Sequence, residues 1–272
     1  MNKANSQDTL PRWKTLPAVE PMPKSDNSGM AAINGALLYY AVFNNNGKDP
    51  VLLLHGGFTN SDDWGDEVIR LCKTHKVIVT DTRGHGRSSM SAQPFTYNLF
   101  ASDVLALLDT LHIQKVAIIG WSDGGVSGLL LAIHHPERIS RLFTFGANYN
   151  QSAYKTEPPD STMSAHFMAK VQADYKRLSP TPDSFPKLRK ALGKLYSAEP
   201  DIPPADLKKI HCPVTIALGE YDQFIKREHA EEMAQLIPGA KLVVIKGVSH
   251  GGPLQDPDLF HEAVMQWLSN KE

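Results

Sequence analysis

The sequence predicts an α/β fold, a doubly wound, mostly parallel eight-stranded sheet carrying a small helical cap. Three observations lead there. From residue 31 onward, short β-rich apolar runs alternate with longer segments of helical period, the pattern of a sheet covered on both faces. Asn34-Gly35 separates the first two runs and marks a hairpin at the start of the sheet. Residues 147–206 then break the rhythm with no strand pattern, an excursion too long for a structureless loop.

The elements follow in order. Runs at 31–34 and 37–43 flank the hairpin turn, and further runs at 51–55, 76–81, 115–120, 141–146, 213–219 and 241–246 are nearly continuous in apolar residues, as suits strands buried on both faces. Between them, Phe100, Val104, Leu107, Leu108 and Leu111 fall on one helical face, and Phe260, Val264 and Leu268 form a similar stripe in a last helix over 256–269. The excursion 147–206 holds two helical patches, 163–178 and 185–196, split by Ser179-Pro180-Thr181-Pro182, and is read as a cap inserted after the sixth strand. Lys187, Arg189, Lys190 and Lys194 make its second helix basic, which is read as a solvated face. In an open doubly wound sheet, ligands bind beyond the carboxyl ends of the strands. Function is to be sought there.

Residues 1–28 hold Pro11, Pro17, Pro21 and Pro23 among polar residues, so a flexible leader is expected ahead of a single domain spanning 29–272. The leader lacks the apolar stretch of about 7–15 residues of a secretory signal. A cytoplasmic protein is expected, with export through a signal absent from this chain as the alternative. Lys and Arg number 28 against 29 for Asp and Glu, a balance that disfavours a nucleic-acid partner. No apolar run approaches the roughly 18 residues of a membrane span. Cys72 and Cys212 are too few for a disulfide framework, and no zinc-ligand spacing appears. No metal or other cofactor is implied, and oligomeric state is not legible.

Gly120-Trp121-Ser122-Asp123-Gly124 fits G-x-S-x-G where an apolar run passes into a helical pattern. A serine on such a turn is held clear of the sheet by strained backbone geometry, so Ser122 is the candidate nucleophile. Its hydroxyl needs a base, and that base an orienting group. His250, just beyond the last strand run, is the candidate base; His134, His135, His229 and His261 fall at a helix end or on helical faces and are read as surface or capping residues. Gly219-Glu220-Tyr221-Asp222 follows the seventh run, and Asp222 is chosen as the acid, with Glu220 as a turn or salt-bridge residue. The alternative position after the sixth run offers only Gly146-Ala147-Asn148, and an amide cannot stabilise an imidazolium as a carboxylate does. An oxyanion requires preorganised donors. The backbone N–H of Asp123 is one candidate, and that of Phe58 or Gly57, in His55-Gly56-Gly57-Phe58, the other.

In these residues the chain resembles the α/β-hydrolase superfamily from Gly35 to Leu268. The resemblance is carried by His55-Gly56-Gly57, by the stretch from Asp81 through Arg83-Gly84-His85-Gly86 to Ser88, by Gly120 to Gly125, and by the Asp222 and His250 loops. The Gly-Trp-Ser-Asp-Gly-Gly motif is most similar to that of the valacyclovir hydrolase (biphenyl hydrolase-like) group, with 3-oxoadipate enol-lactonases and bacterial carboxylesterases as neighbours. The resemblance implies that Asp81 to Ser88 is structural. It also implies that Asp123 holds a substrate amino group; a carboxylate in a helix's first turn is equally expected on dipole grounds alone. Trp121 and Phe167 join Asp123 as candidate substrate contacts. Gly251-Gly252 departs from many relatives, which carry a bulky apolar residue there, and predicts a more open wall. The expected activity is hydrolysis of a small-molecule carboxylic ester, with a lactone or an amino-acid ester or amide as alternatives on the same triad. A small-molecule receptor that keeps the triad is the alternative of another class.

Overall fold

A computed structural model describes residues 10–157 and 159–269. Its centre is an eight-stranded sheet of β1 (Asn27–Ile33), β2 (Ala36–Phe43), β3 (Lys48–Leu54), β4 (His75–Thr80), β5 (Val116–Trp121), β6 (Ile139–Phe145), β7 (Val214–Gly219) and β8 (Lys241–Ile245), in the order β1-β2-β4-β3-β5-β6-β7-β8. Only the β1–β2 and β2–β4 pairings are antiparallel. β5 and β7 are buried at every position, which is why their sequences read as unbroken apolar runs. β1 starts four residues earlier than its hydrophobic pattern suggests, because Asn27 to Met30 pair through the backbone with Tyr39 to Val42 whatever their side chains.

The helices are α1 (Gly65–Leu71), α2 (Tyr97–Thr110), α3 (Asp123–His134), α4 (Ser161–Leu178), α5 (Phe185–Tyr196), α6 (Pro204–Leu207), α7 (Arg227–Leu236), α8 (Gly252–Gln255) and α9 (Pro257–Ser269). α2, α3 and α7 bury their apolar stripes on one face of the sheet, while α1, with Trp64 just ahead of it, and α9 cover the other through Trp64, Val68, Phe260 and Trp267. None of the described helices is long and apolar enough to cross a membrane. Both cysteines are free thiols and partly buried.

Parallel register brings the strand ends together. Leu54 lies opposite Gly120, Trp121 opposite Phe145, Phe145 opposite Ala217, and Gly219 opposite Ile245, so the loops after β3, β5, β6, β7 and β8 emerge on one edge. The turn after β4 braces this edge from below. Asp81 accepts from the Ser61 and Arg87 N–H groups at 2.8 and 2.7 Å, and Thr82 N–H donates to His55 Nε2 at 2.9 Å. Next to it, Arg83 forms a buried two-point pair with Asp103; removing one partner of such a pair typically costs about 3–5 kcal/mol.

Between β6 and β7, α4 and α5 sit over the strand ends. Val171, Tyr175, Phe185, Leu188 and Leu192 join the main apolar cluster, with Phe185 against Phe58 at 6.2 Å between ring centroids. The cap is also tied by charge: Lys170 of α4 meets buried Asp63 at 2.5 Å, and Arg177 reaches Asp62 at 3.5 Å. The basic residues of α5 face solvent.

Residues 10–26 differ from the flexible leader expected of them, while residues 1–9 of that leader lie outside the described residues. The arm forms a short 3₁₀ turn, Arg12–Lys14, and then runs extended over the domain. Leu16, Val19 and Met22 pack on the apolar cluster beneath α1 and α9, and Glu20 N–H donates to Asp66 at 3.2 Å. Its prolines disfavour helix or sheet beyond that turn, yet an extended segment can dock through single side chains and carbonyl groups.

Candidate active site

Ser122 stands between β5 and α3 with φ 51° and ψ −116°, a positive-φ conformation that L residues rarely adopt. The surrounding close approach explains the glycines of the motif. A Cβ on Gly120 would stand 2.5 Å from Gly124 O, and one on Gly124 would stand 2.2 Å from Leu54 O, so no other residue fits where strand and helix touch. Ser122 N–H is anchored to Phe145 O at 2.8 Å.

Asp222, in the loop after β7, is buried. Its Oδ1 accepts from the Phe224 and Ile225 N–H groups, each at 2.9 Å, and its Oδ2 meets His250 Nδ1 at 2.8 Å. Glu220 is turned elsewhere and accepts from Gly247 N–H at 2.9 Å. His250 is fixed on several sides: its N–H donates to Gln223 Oε1 at 3.1 Å, its carbonyl accepts from Trp121 Nε1 at 2.8 Å, and Phe224 meets its ring edge-on at 5.0 Å. Ser122 and His250 line one cavity of about 430 Å³. Among the described residues, no group of His, Cys, Asp and Glu is arranged to hold a metal ion.

Gly57, Phe58 and Asp123 also line this cavity. The Asp123 N–H opens α3 and so has no intrahelical acceptor. Phe58 takes φ 65°, and the loop carrying it lies so near Ser122 that a Cβ on Gly56 would be 3.3 Å from Ser122 Cβ. Phe167 reaches the cavity from α4 together with Met163 and Met168. Trp121 borders it too, but its indole N–H is committed to the His250 carbonyl, a positioning contact that the motif does not reveal.

The Asp123 carboxylate is buried between two phenols. Tyr97, from α2, donates to Oδ1 and Tyr196, from α5, donates to Oδ2, both at 2.8 Å. Burial pushes this carboxyl above the usual aspartate range, against the pull of both hydrogen bonds. Burial and the nearby carboxylate push both phenols well above the usual tyrosine range, and Tyr154 beside them to about 12. Neither tyrosine belongs to a motif, and only the fold brings them to position 123.

Of the remaining histidines, His134 is exposed in the last turn of α3. His229 is not the surface residue its helical position suggests: it is buried, stacked on Tyr149 at 4.4 Å between centroids, and accepts from Tyr149 N–H at 3.2 Å. His261 pairs with buried Glu67 at 3.0 Å. Burial lowers His229 to about 4 and lowers His85, enclosed next to His55, to about 3.

Comparison with known proteins agrees with this architecture. Residues 49–176 match the family described as the alpha/beta hydrolase fold. Human serine hydrolase BPHL is 27% identical across 90% of this chain and 87% of its own length. The 3-oxoadipate enol-lactonase 2 of Acinetobacter baylyi is 26% identical across 84% and 91%. The crystal structure of a hydrolase from Pseudomonas aeruginosa superposes with a TM-score of 0.71 at 26% identity, covering 91% of this chain and all of that one. Strand order and the strained serine turn are those of the α/β-hydrolase fold, and the similarities along most of the chain are to hydrolases.

Proposed function

We propose that this hydrolase cleaves a carboxylic ester through an acyl-enzyme, with Ser122 as nucleophile, His250 as base and Asp222 as the acid that orients it. The observation that carries the reading is the 2.8 Å contact of Asp222 with His250 Nδ1, on a histidine that shares its cavity with a serine in strained backbone geometry. A carboxylate at Nδ1 keeps the proton on that nitrogen and leaves Nε2 free to accept one. Ser122 Oγ attacks the carbonyl carbon as its proton passes to Nε2. The same proton then goes to the departing alkoxide, and water repeats the sequence on the acyl-enzyme. The Asp123 N–H, with that of Phe58 or Gly57, receives the oxyanion. A lactone, being an internal ester, fits the same steps, and a lactonase is among the similar proteins.

The test is multiple-turnover hydrolysis of a panel of 4-nitrophenyl esters. Ser122→Ala should lose on the order of 10⁴-fold or more in turnover. A folded variant retaining tens of per cent of the activity refutes the assignment, and a wild-type protein that turns over only about once favours a receptor that keeps the triad. A second reading, an amino-acid ester as substrate, is favoured by one observation: Asp123 places a carboxyl group on the cavity wall.

A further inference from the structure

The cavity has one wall that the hydrolase domain does not supply. Gly251 follows His250, and a Cβ placed on it would meet nothing nearer than the Gln255 amide at 3.5 Å. Trp13 and Leu16 of the N-terminal arm line the same cavity as Gly251 and His250. Their position is built in. Gln255 Nε2 donates to the carbonyls of Trp13 and Thr15 at 3.1 and 2.9 Å, while its Oε1 accepts from Ser249 N–H at 2.7 Å, so one amide joins the arm to the residue before His250. The Trp13 indole stacks on Tyr221, the neighbour of Asp222, at 4.9 Å and 16°. Arg12 pairs with Asp256 beneath the turn, and Lys14 reaches Asp160 at the start of α4 at 3.6 Å. The arm thus touches both loops that carry His250 and Asp222, and the cap as well.

We propose that Trp13 and Leu16 are specificity-determining residues that form the leaving-group wall of the site and select esters of flat, apolar alcohols, aryl alcohols foremost. The proposal rests on the ester-hydrolase reading above for its direction. His250 must protonate the departing oxygen, so the alcohol portion lies on the His250 side of the scissile bond, and that is where Gln255 holds the arm. The Trp13 indole and Leu16 present apolar surface to the cavity, and the Lys14 ammonium, 4.8 Å from the indole centroid, is paired with Asp160, which favours an aromatic ring over a small or ionic group. Gln255 is a positioning residue.

The test compares two substrate ratios in wild type, Trp13→Ala, Trp13→Phe and Gln255→Ala: kcat/KM for 2-naphthyl acetate over ethyl acetate, which varies the alcohol, and for 4-nitrophenyl butyrate over acetate, which varies the acyl group. In Trp13→Ala the alcohol ratio should fall about tenfold, chiefly through KM, with the acyl ratio moving less than twofold. Gln255→Ala should reproduce the shift, and Trp13→Phe should restore most of it. An unchanged alcohol ratio in Trp13→Ala, or a shift confined to the acyl ratio, overturns the assignment. Equilibrium binding of 2-naphthol, which needs no turnover, separates this claim from the one beneath it. If wild type hydrolyses no ester yet Trp13→Ala binds 2-naphthol about tenfold more weakly, the ester reading fails and the wall stands. If wild type and variant bind 2-naphthol equally, or neither binds it, the wall is refuted.

Discussion

Gly146→Ala is the sharpest probe of the proposed triad, because the residue touches no substrate and carries no chemistry of its own. Gly146 follows β6 with φ 63°, a conformation that costs an L residue about 1–2 kcal/mol. A Cβ at this position would lie 2.7 Å from His250 Cε1, 2.8 Å from Nδ1 and 3.2 Å from Asp222 Oδ2. Ordinary contact starts near 3.4 Å, so either the imidazole or the β6 turn must retreat by about 0.7 Å. Overpacking of this kind typically costs about 1–3 kcal/mol, which together with the backbone term should lower Tm by roughly 5–15 °C in a domain of this size. A displacement approaching 1 Å in a base that must meet Ser122 should lower kcat by about 10²-fold, while KM for a small ester moves little. Stopped-flow or steady-state hydrolysis of 4-nitrophenyl acetate, read beside thermal unfolding at a temperature where the variant is folded, measures both. A folded Gly146→Ala protein with a near wild-type kcat would show that His250 and Asp222 need not hold this geometry, and the triad assignment would fall with it.

Three further expectations concern other parts of the molecule. Asp123→Asn should leave turnover of neutral esters nearly intact, since the oxyanion donor proposed at this position is the backbone N–H; if an ammonium group binds there, the preference for an amino-acid ester over its des-amino analogue should drop by about 1–3 kcal/mol in kcat/KM, and equal wild-type rates for the two substrates would rule that reading out. Phe167→Ala and Met168→Ala in α4 should change acyl-length preference several-fold with little change in Tm, because both side chains are half-buried against the cavity; unfolding at much lower temperature with unchanged preference would make them core. His229, held neutral to about pH 4 in the fold, protonates near pH 6.5 once unfolded. The unfolded chain therefore binds the extra proton between those values, and the stability from this residue is complete above about pH 6.5 and lost as pH falls towards 4. Chemical denaturation at pH 7.0 and 5.0 should show wild type losing up to about 1.4 kcal/mol more per pH unit than His229→Phe, and parallel losses would contradict the lowered pKa.

Much of this was legible in the chain because the parallel strands are buried on both faces and their sequences cannot disguise it. The loops proposed to carry the chemistry were legible for a related reason: Ser122, Asp222 and His250 lie in the loops that leave β5, β7 and β8, so reading the strands locates them. What stayed hidden depends on contacts between segments far apart in sequence. The phenols of Tyr97 and Tyr196 meet Asp123 only because α2 and α5 converge above α3. The role of Trp121 depends on a loop more than a hundred residues away. The arm misleads for another reason: proline-rich composition reports the absence of regular hydrogen bonding within a segment, and says nothing about whether a glutamine elsewhere donates to its carbonyls.

The Asp123 carboxylate carries one more implication, for attempts to re-engineer the enzyme. Caps of this kind invite exchange, since a graft between β6 and β7 leaves the sheet uninterrupted. Here, however, one of the two phenols that satisfy Asp123 travels with the cap and the other stays with the sheet-bound helix. A donor cap lacking a hydroxyl at the position of Tyr196 would leave a buried carboxyl oxygen unsatisfied beside Ser122, a defect of about 1–3 kcal/mol placed at the proposed reaction centre. A chimera should therefore carry a tyrosine at that position or accept an uncharged residue at 123 in the same step; the two positions form one heritable unit.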